Sequence, residues 1–124
     1  MAPLAKAPSV TLQKRGIFSI NQTAHKLIDA AQTVELLFDK DNKIIALRPS
    51  GEPHAYSLRP QSSRDSGQMI LSATAFTQYY GIDTSVSRRY KPYEENGMLC
   101  IALEGPSTVV RGNRSKADVS ARDD

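Results

Sequence analysis

Two histidines and one cysteine are the first residues to weigh for chemistry, and their placement argues against a shared centre. His25 lies beside Lys26, His54 follows Pro53, and Cys100 sits inside the apolar run 98–103. Neither imidazole has a serine or cysteine placed beside it by sequence, as a nucleophile–base pair requires. Three such ligands, so widely separated, do not make a zinc set. Asp39-Lys40-Asp41 has the opening of a calcium loop, but Ile44 occupies the position that must be glycine. No bidentate Glu follows at the required spacing, and no glycine-rich phosphate loop is present. No catalytic residue, metal site or cofactor is therefore expected; the composition of candidate groups points to a binding protein rather than an enzyme.

Cations are the other chemistry on offer. Lys14-Arg15 falls where the first strand must bend, and curvature there would present both side chains to phosphate oxygens. Arg88-Arg89-Tyr90-Lys91 is the densest basic cluster in the body. On a strand, Arg88 and Tyr90 share one face while Arg89 and Lys91 share the other. A nucleic-acid contact and a cross-strand pairing with Glu94, Glu95 or Glu104 both fit this cluster. Arg48, Arg59 and Arg64 flank the central linker and extend a candidate basic belt. Tyr79, Tyr80, Tyr90 and Tyr93 would suit base stacking, but helical spacing assigns Tyr79 to the core.

The elements that must hold these residues follow from periodicity. Val10, Leu12, Phe18 and Ile20 alternate, which predicts a strand bent near Gly16. Asn21 is a suitable N-cap, and Ala24, Leu27 and Ile28 predict a helix from 22 to about 29. Val34, Leu36 and Phe38 return to period two, a polar turn spans 39–43, and 44–48 runs back as a hairpin partner. The stretch 50–53 is a linker. A short extra strand (54–59), a loop (60–67) and a strand (69–71) follow. Ser72 is then an N-cap, with Ala75, Phe76, Tyr79 and Tyr80 forming a helical apolar face that Gly81 ends. A strand at 86–93, a turn at 94–97 and a strand at 98–103 complete the second series.

The two series correspond. Ile20-Asn21-Gln22-Thr23-Ala24 matches Leu71-Ser72-Ala73-Thr74-Ala75, and Ile45-Ala46-Leu47 matches Ile101-Ala102-Leu103, at separations of 51 and 56 residues. A lone β-α-β-β unit of this length buries too little apolar area, at about 25 cal/mol per Å², to offset its chain entropy. Two units closing on each other would bury both faces. The expected fold is α+β: a small β-barrel or sandwich from two pseudo-symmetric halves (9–49 and 54–104) forming one domain. Residues 1–8 are expected to be a flexible arm and 105–124 a disordered tail.

The chain of 124 residues carries 16 Lys plus Arg and 13 Asp plus Glu, for a net charge of +3. Between Ser9 and Glu104 the counts are 11 basic and 10 acidic, so the excess sits in the tails. Any anion-binding surface must then arise from local clustering. No run approaches the roughly 20 apolar residues that span a bilayer, and a single cysteine suits a reducing compartment. A cytoplasmic protein with no membrane contact is expected.

Residues 10–49 resemble the AbrB/MraZ/SpoVT type of swapped-hairpin DNA-binding domain. Gly16-Ile17-Phe18-Ser19-Ile20, Val34-Glu35-Leu36 and Ile45-Ala46-Leu47-Arg48-Pro49 stand for its three conserved-pattern pieces, and the tandem arrangement is similar to the MraZ branch. Asn21 stands where that family commonly has Pro, and Ile17 where it often has a DNA-contacting Arg. His25 and Lys26 fall where it often has basic helix residues. The resemblance implies a DNA-binding transcriptional regulator that acts by occupying a site on double-stranded DNA. The DNA-binding side chains would be Lys14, Arg15, Lys26, Arg48, Arg59, Arg64, Arg88, Arg89 and Lys91. A homodimer is a further expectation. The alternative is a non-catalytic protein–protein interaction module, an adaptor or inhibitor using hairpin edges or the C-terminal tail.

Overall fold

Lys14, Arg15 and Gly16 do not bend a strand; they reverse it. Arg15 (φ 71°) and Gly16 (φ 79°) both occupy the left-handed region, so the chain turns back on itself. The result is a hairpin of β1 (Val10–Gln13) and β2 (Ile17–Ile20), with Val10 opposite Ile20 and Leu12 opposite Phe18. In this computed structural model, which describes residues 7–60 and 67–110, two open antiparallel sheets follow from that start.

Asn21 caps α1 (Gln22–Lys26), its Oδ1 accepting from the Ala24 amide at 2.9 Å. The helix is shorter than its apolar spacing suggested, because Asp29 and Ala30 both adopt positive φ. The hairpin β3 (Thr33–Asp39) and β4 (Ile44–Pro49) follows as expected. Two short strands cross the centre of the chain, β5 (Tyr56–Ser57) and β6 (Arg59–Pro60). Then come β7 (Met69–Ser72) and α2 (Thr74–Tyr79). Ala73, not Ser72, holds the N-cap position of α2 and offers no side-chain acceptor. Gly81 does follow the helix in the left-handed region, at φ 63°.

The remaining strands are β8 (Ser87–Tyr90), β9 (Tyr93–Glu95), β10 (Met98–Ala102) and β11 (Ser107–Val110). Their pairing departs from a simple hairpin of 86–93 with 98–103. β8 joins β1 and β11, whereas β10 pairs with β9 and β4. One sheet therefore runs β11-β8-β1-β2-β7-β6 and the other β5-β3-β4-β10-β9. Strand β11 lies within the stretch expected to be a disordered tail. Gly105-Pro106 acts as a turn, with the Gly105 amide on the Ala102 carbonyl at 3.0 Å, and Val109 and Val110 then return to the six-stranded sheet.

Strands from both sides of the linker share both sheets. In the β2–β7 pairing Ser19 stands opposite Ile70, residues 51 apart. In the β4–β10 pairing Ile45 stands opposite Ile101, 56 apart. The strands that precede the two matched helix starts pair with each other, and so do the strands carrying Ile45 and Ile101, at the same separations of 51 and 56 residues as the sequence match. One core joins the sheets: Val10, Leu12, Phe18, Ile20 and Leu71 from the six-stranded sheet meet Val34, Ile45, Leu47, Leu99 and Ile101 from the other. Truncating any of these to Ala should cost about 2–5 kcal/mol.

The molecule is a small α+β fold of antiparallel sheets with two short helices among the described residues. Neither sheet closes on itself, so the barrel form of the expectation is not what these strands build. Tyr79 is a further correction: it is 82% exposed. The helix instead buries Thr77, against Gly16, and Phe76, whose ring packs on Phe38 and Tyr80.

Candidate nucleic-acid interface

Strand β8 lies between β1 and β11, and its alternation sorts the basic cluster onto two faces. Tyr90 is buried, opposite Val10 and on the core side. Arg88 shares that side, at the sheet's end, where its Nη1 donates to Ser107 Oγ at 3.4 Å. Arg89 therefore points away from the core, flanked by its register partners Thr11 on β1 and Thr108 on β11. Lys91 follows two residues on. Among the described residues neither Arg89 nor Lys91 has a side-chain partner, and no ion pair joins this cluster to Glu94, Glu95 or Glu104.

Arg89 and Lys91 border a groove of about 620 Å³. Its other polar walls include Ser9, Thr11, Asn21, Gln68, Ser107 and Thr108, and its lining among the described residues has no carboxylate. Two of these walls are fixed by their own bonds. Asn21 accepts from the Ser9 amide at 3.1 Å and donates to the Ala7 carbonyl at 2.8 Å, while Gln68 donates to Ser19 Oγ at 2.6 Å.

Charge is divided between the sheets. The six strands of the larger sheet contain Arg59, Arg88 and Arg89 and no Asp or Glu; Lys14 and Arg15 sit in its hairpin turn. The five strands of the other sheet contain Glu35, Asp39, Glu94 and Glu95 against one cation, Arg48. A body that is near neutral in total is thus bipolar. Across the larger sheet, register runs Arg89–Thr11–Ser19–Ile70–Arg59, which puts Arg59 on the same face as Arg89. Four strand spacings separate them, about 19 Å.

The remaining candidate residues divide as follows. Lys14 and Arg15 are exposed at the hairpin tip, with Thr74 Oγ1 donating to the Arg15 carbonyl. Lys26 is exposed at the end of α1. Arg64 lies outside the described residues. Arg48 is taken: directly opposite Glu35 in the β3–β4 ladder, it forms an ion pair with that carboxylate. Ser50 Oγ (2.8 Å) and His54 Nε2 (3.2 Å) complete the shell of Glu35, so the linker is pinned to β3. The Arg48 guanidinium and the Ser50 hydroxyl hold the Glu35 carboxyl below its ordinary value.

The groups that sequence singled out for chemistry stand apart. His25 Nε2 is 2.7 Å from the Ala31 carbonyl and closes the turn after α1. His54 is on the linker, and Cys100 is buried, its thiol pushed up by desolvation. No group of three or more His, Cys, Asp or Glu side chains converges among the described residues, and no helix there is long and apolar enough to cross a membrane.

Comparison with protein-family models, with curated proteins and with solved structures returned no significant match. What the groove recognises is therefore argued from its chemistry. Its polar walls Thr11, Thr108, Asn21 and Gln68 were not singled out from sequence as site residues. Thr11 was recoverable, since alternation with Val10 and Leu12 places it on the face away from the core. Thr108, Asn21 and Gln68 were not, because their neighbours are set by long-range register.

Proposed function

We propose that the protein is a non-catalytic DNA-binding regulator of the AbrB/MraZ type, two β-α-β-β halves in one chain, acting by occupancy of its site. One observation carries the reading: a six-stranded sheet without carboxylates displays Arg89 and Arg59 on the face away from the core, with Lys91 just past the end of β8 and Lys14 and Arg15 at its hairpin tip. The row Arg89–Thr11–Ser19–Ile70–Arg59 on that face holds no carboxylate; Thr11 and Ser19 are buried within it, so a polyanion there meets the cations at its two ends. The span from Arg89 to Arg59 exceeds the roughly 12 Å width of a major groove, so phosphates on both banks come within reach. Such contacts fix position and give a strong salt dependence. Arg48 takes no part, because Glu35 neutralises it.

The test is a gel shift with genomic DNA fragments, comparing Arg89→Gln/Lys91→Gln with Lys40→Gln/Lys43→Gln. The second pair removes equal charge from the turn of the acidic sheet. The reading expects a shift for wild type and for the control pair, weakened at least tenfold for the first pair. Equal weakening by both pairs would reduce the interaction to net charge.

A second reading, a protein–protein module, is favoured by a different surface. The outer face of the five-stranded sheet forms a groove of about 340 Å³ in which Leu37, Ala46, Met98 and Cys100 meet, rimmed by Asp39 and Glu95. A partner there would present apolar side chains beside cations. Among the described residues, strands β5 and β9 are the edges of that sheet.

A further inference from the structure

We infer that the groove beside β8 is a receptor for a small molecule carrying a phosphomonoester, of about mononucleotide size. This goes beyond DNA contact, since it concerns the concave interior of the groove rather than the exposed face as a whole.

The argument begins with the two cations. Arg89 and Lys91 both line the groove, two residues apart, about 7 Å along the chain. Like charges at that spacing repel, and among the described residues no carboxylate compensates them. An oxyanion set between them removes the repulsion and gains two charge-assisted bonds. The two side chains also differ usefully. A guanidinium fork matches two phosphate oxygens at once, whereas an ammonium serves as a movable point charge.

The neutral groups are placed to complete the shell. Thr11 and Thr108 are the register partners of Arg89 on either side, so their hydroxyls flank its side chain on the same face. A phosphate held by the Arg89 fork has its third oxygen available to one of them. The far walls are held by Asn21 and Gln68, whose amides are already engaged with Ser9, Ala24, Ala7 and Ser19. Walls locked by their own bonds lose little entropy when a ligand enters. Pro8 and Pro106 supply stiff apolar surface for the non-phosphate part. The volume of about 620 Å³ falls in the range of small-molecule sites. A duplex is too broad and too convex to fill it; a free or terminal phosphate is not.

Isothermal titration of the full chain, in the absence of DNA, with adenosine 5′-monophosphate, adenosine and inorganic phosphate tests the assignment. The monophosphate should bind more tightly than ~1 mM, and adenosine should not bind detectably. Arg89→Gln should weaken the monophosphate by about tenfold or more, and Lys91→Gln by less. Arg89→Lys should recover part of the loss, which separates charge from folding defects, and Lys40→Gln should have no effect. Inorganic phosphate binding as well as the monophosphate would support recognition of the phosphate group alone. Adenosine binding equally well, a monophosphate affinity indifferent to Arg89→Gln, or no heat with any phosphate would overturn the proposal. DNA binding without monophosphate binding would sink this inference alone. Monophosphate binding without DNA binding would sink only the regulator reading.

Discussion

Replacing Gly16 with alanine strikes the point where the hairpin carrying Lys14 and Arg15 is seated on α2. Gly16 has φ +79°, a conformation that costs a residue with a Cβ roughly 1 kcal/mol. The added methyl would also stand 2.5 Å from Thr77 Oγ1, 3.0 Å from Thr74 Cα and 3.1 Å from the Ala73 carbonyl oxygen. Two of those three atoms are backbone and cannot rotate away, so overpacking adds about 1–3 kcal/mol. Separating the hairpin from the helix would stretch the Ala73 amide to Gly16 carbonyl bond, now 2.9 Å, and the Thr74 hydroxyl bond to Arg15. Each is worth ~1 kcal/mol. The expected loss is about 4–6 kcal/mol. Gly97→Ala is the internal control, for Gly97 has φ +78° but nothing within 4 Å of an added Cβ, and it should lose only about 1 kcal/mol. Urea unfolding followed by circular dichroism reads the difference as a midpoint shift, at a slope of about 1–3 kcal/mol per molar. Equal losses for the two variants would refute the seating of the hairpin on α2.

Three other outcomes are expected. Asn21→Ala removes the cap of α1 and the anchor of residues 7–9 together, so it should cost about 1–2 kcal/mol in urea unfolding, with Asn21→Asp recovering the cap but not the bond to Ala7. Glu35 has a carboxyl pKa lowered in the fold, so its contribution to stability is present above the ordinary carboxylate pKa and lost as pH falls through the lowered folded value. Glu35→Gln should therefore flatten the acid limb of the stability–pH curve, and an unchanged limb would count against the clamp. Cys100 is buried with its thiol pKa raised, so alkylation by iodoacetamide at neutral pH should be slow in the folded protein and fast in urea. Equal rates would mean the thiol is accessible.

Local chemistry was legible in the sequence where one residue decides the outcome. Asn21 is a cap because its side chain reaches an amide three residues on, and Gly81 ends α2 because it alone carries no Cβ there. The hairpin at 33–49 was legible because its partners are close in the chain. What escaped was pairing over distance. β8 could have turned back onto residues 98–103, but its hydrogen bonds go to β1, nearly 80 residues earlier, and to β11. The strand at 107–110 has too few apolar residues to declare itself; its backbone partners on β8 order it. The fate of the cations follows from the same cause. Arg48 and Arg89 look equivalent in sequence, yet register sets Arg48 against Glu35 and Arg89 between two threonines. Net charge conceals the division because the acids collect on the other sheet.

The most direct measurement of that division is the salt dependence of DNA affinity, followed by fluorescence anisotropy on a labelled duplex. Each phosphate contact contributes a slope of about 0.9 in log K against log salt. Removing Arg89 and Lys91 together should make the slope shallower by about 2, while removing Lys40 and Lys43 should leave it unchanged. A slope indifferent to Arg89 and Lys91, or no anisotropy change even at the lowest salt, would contradict the claim that the carboxylate-free sheet is the anion-binding face.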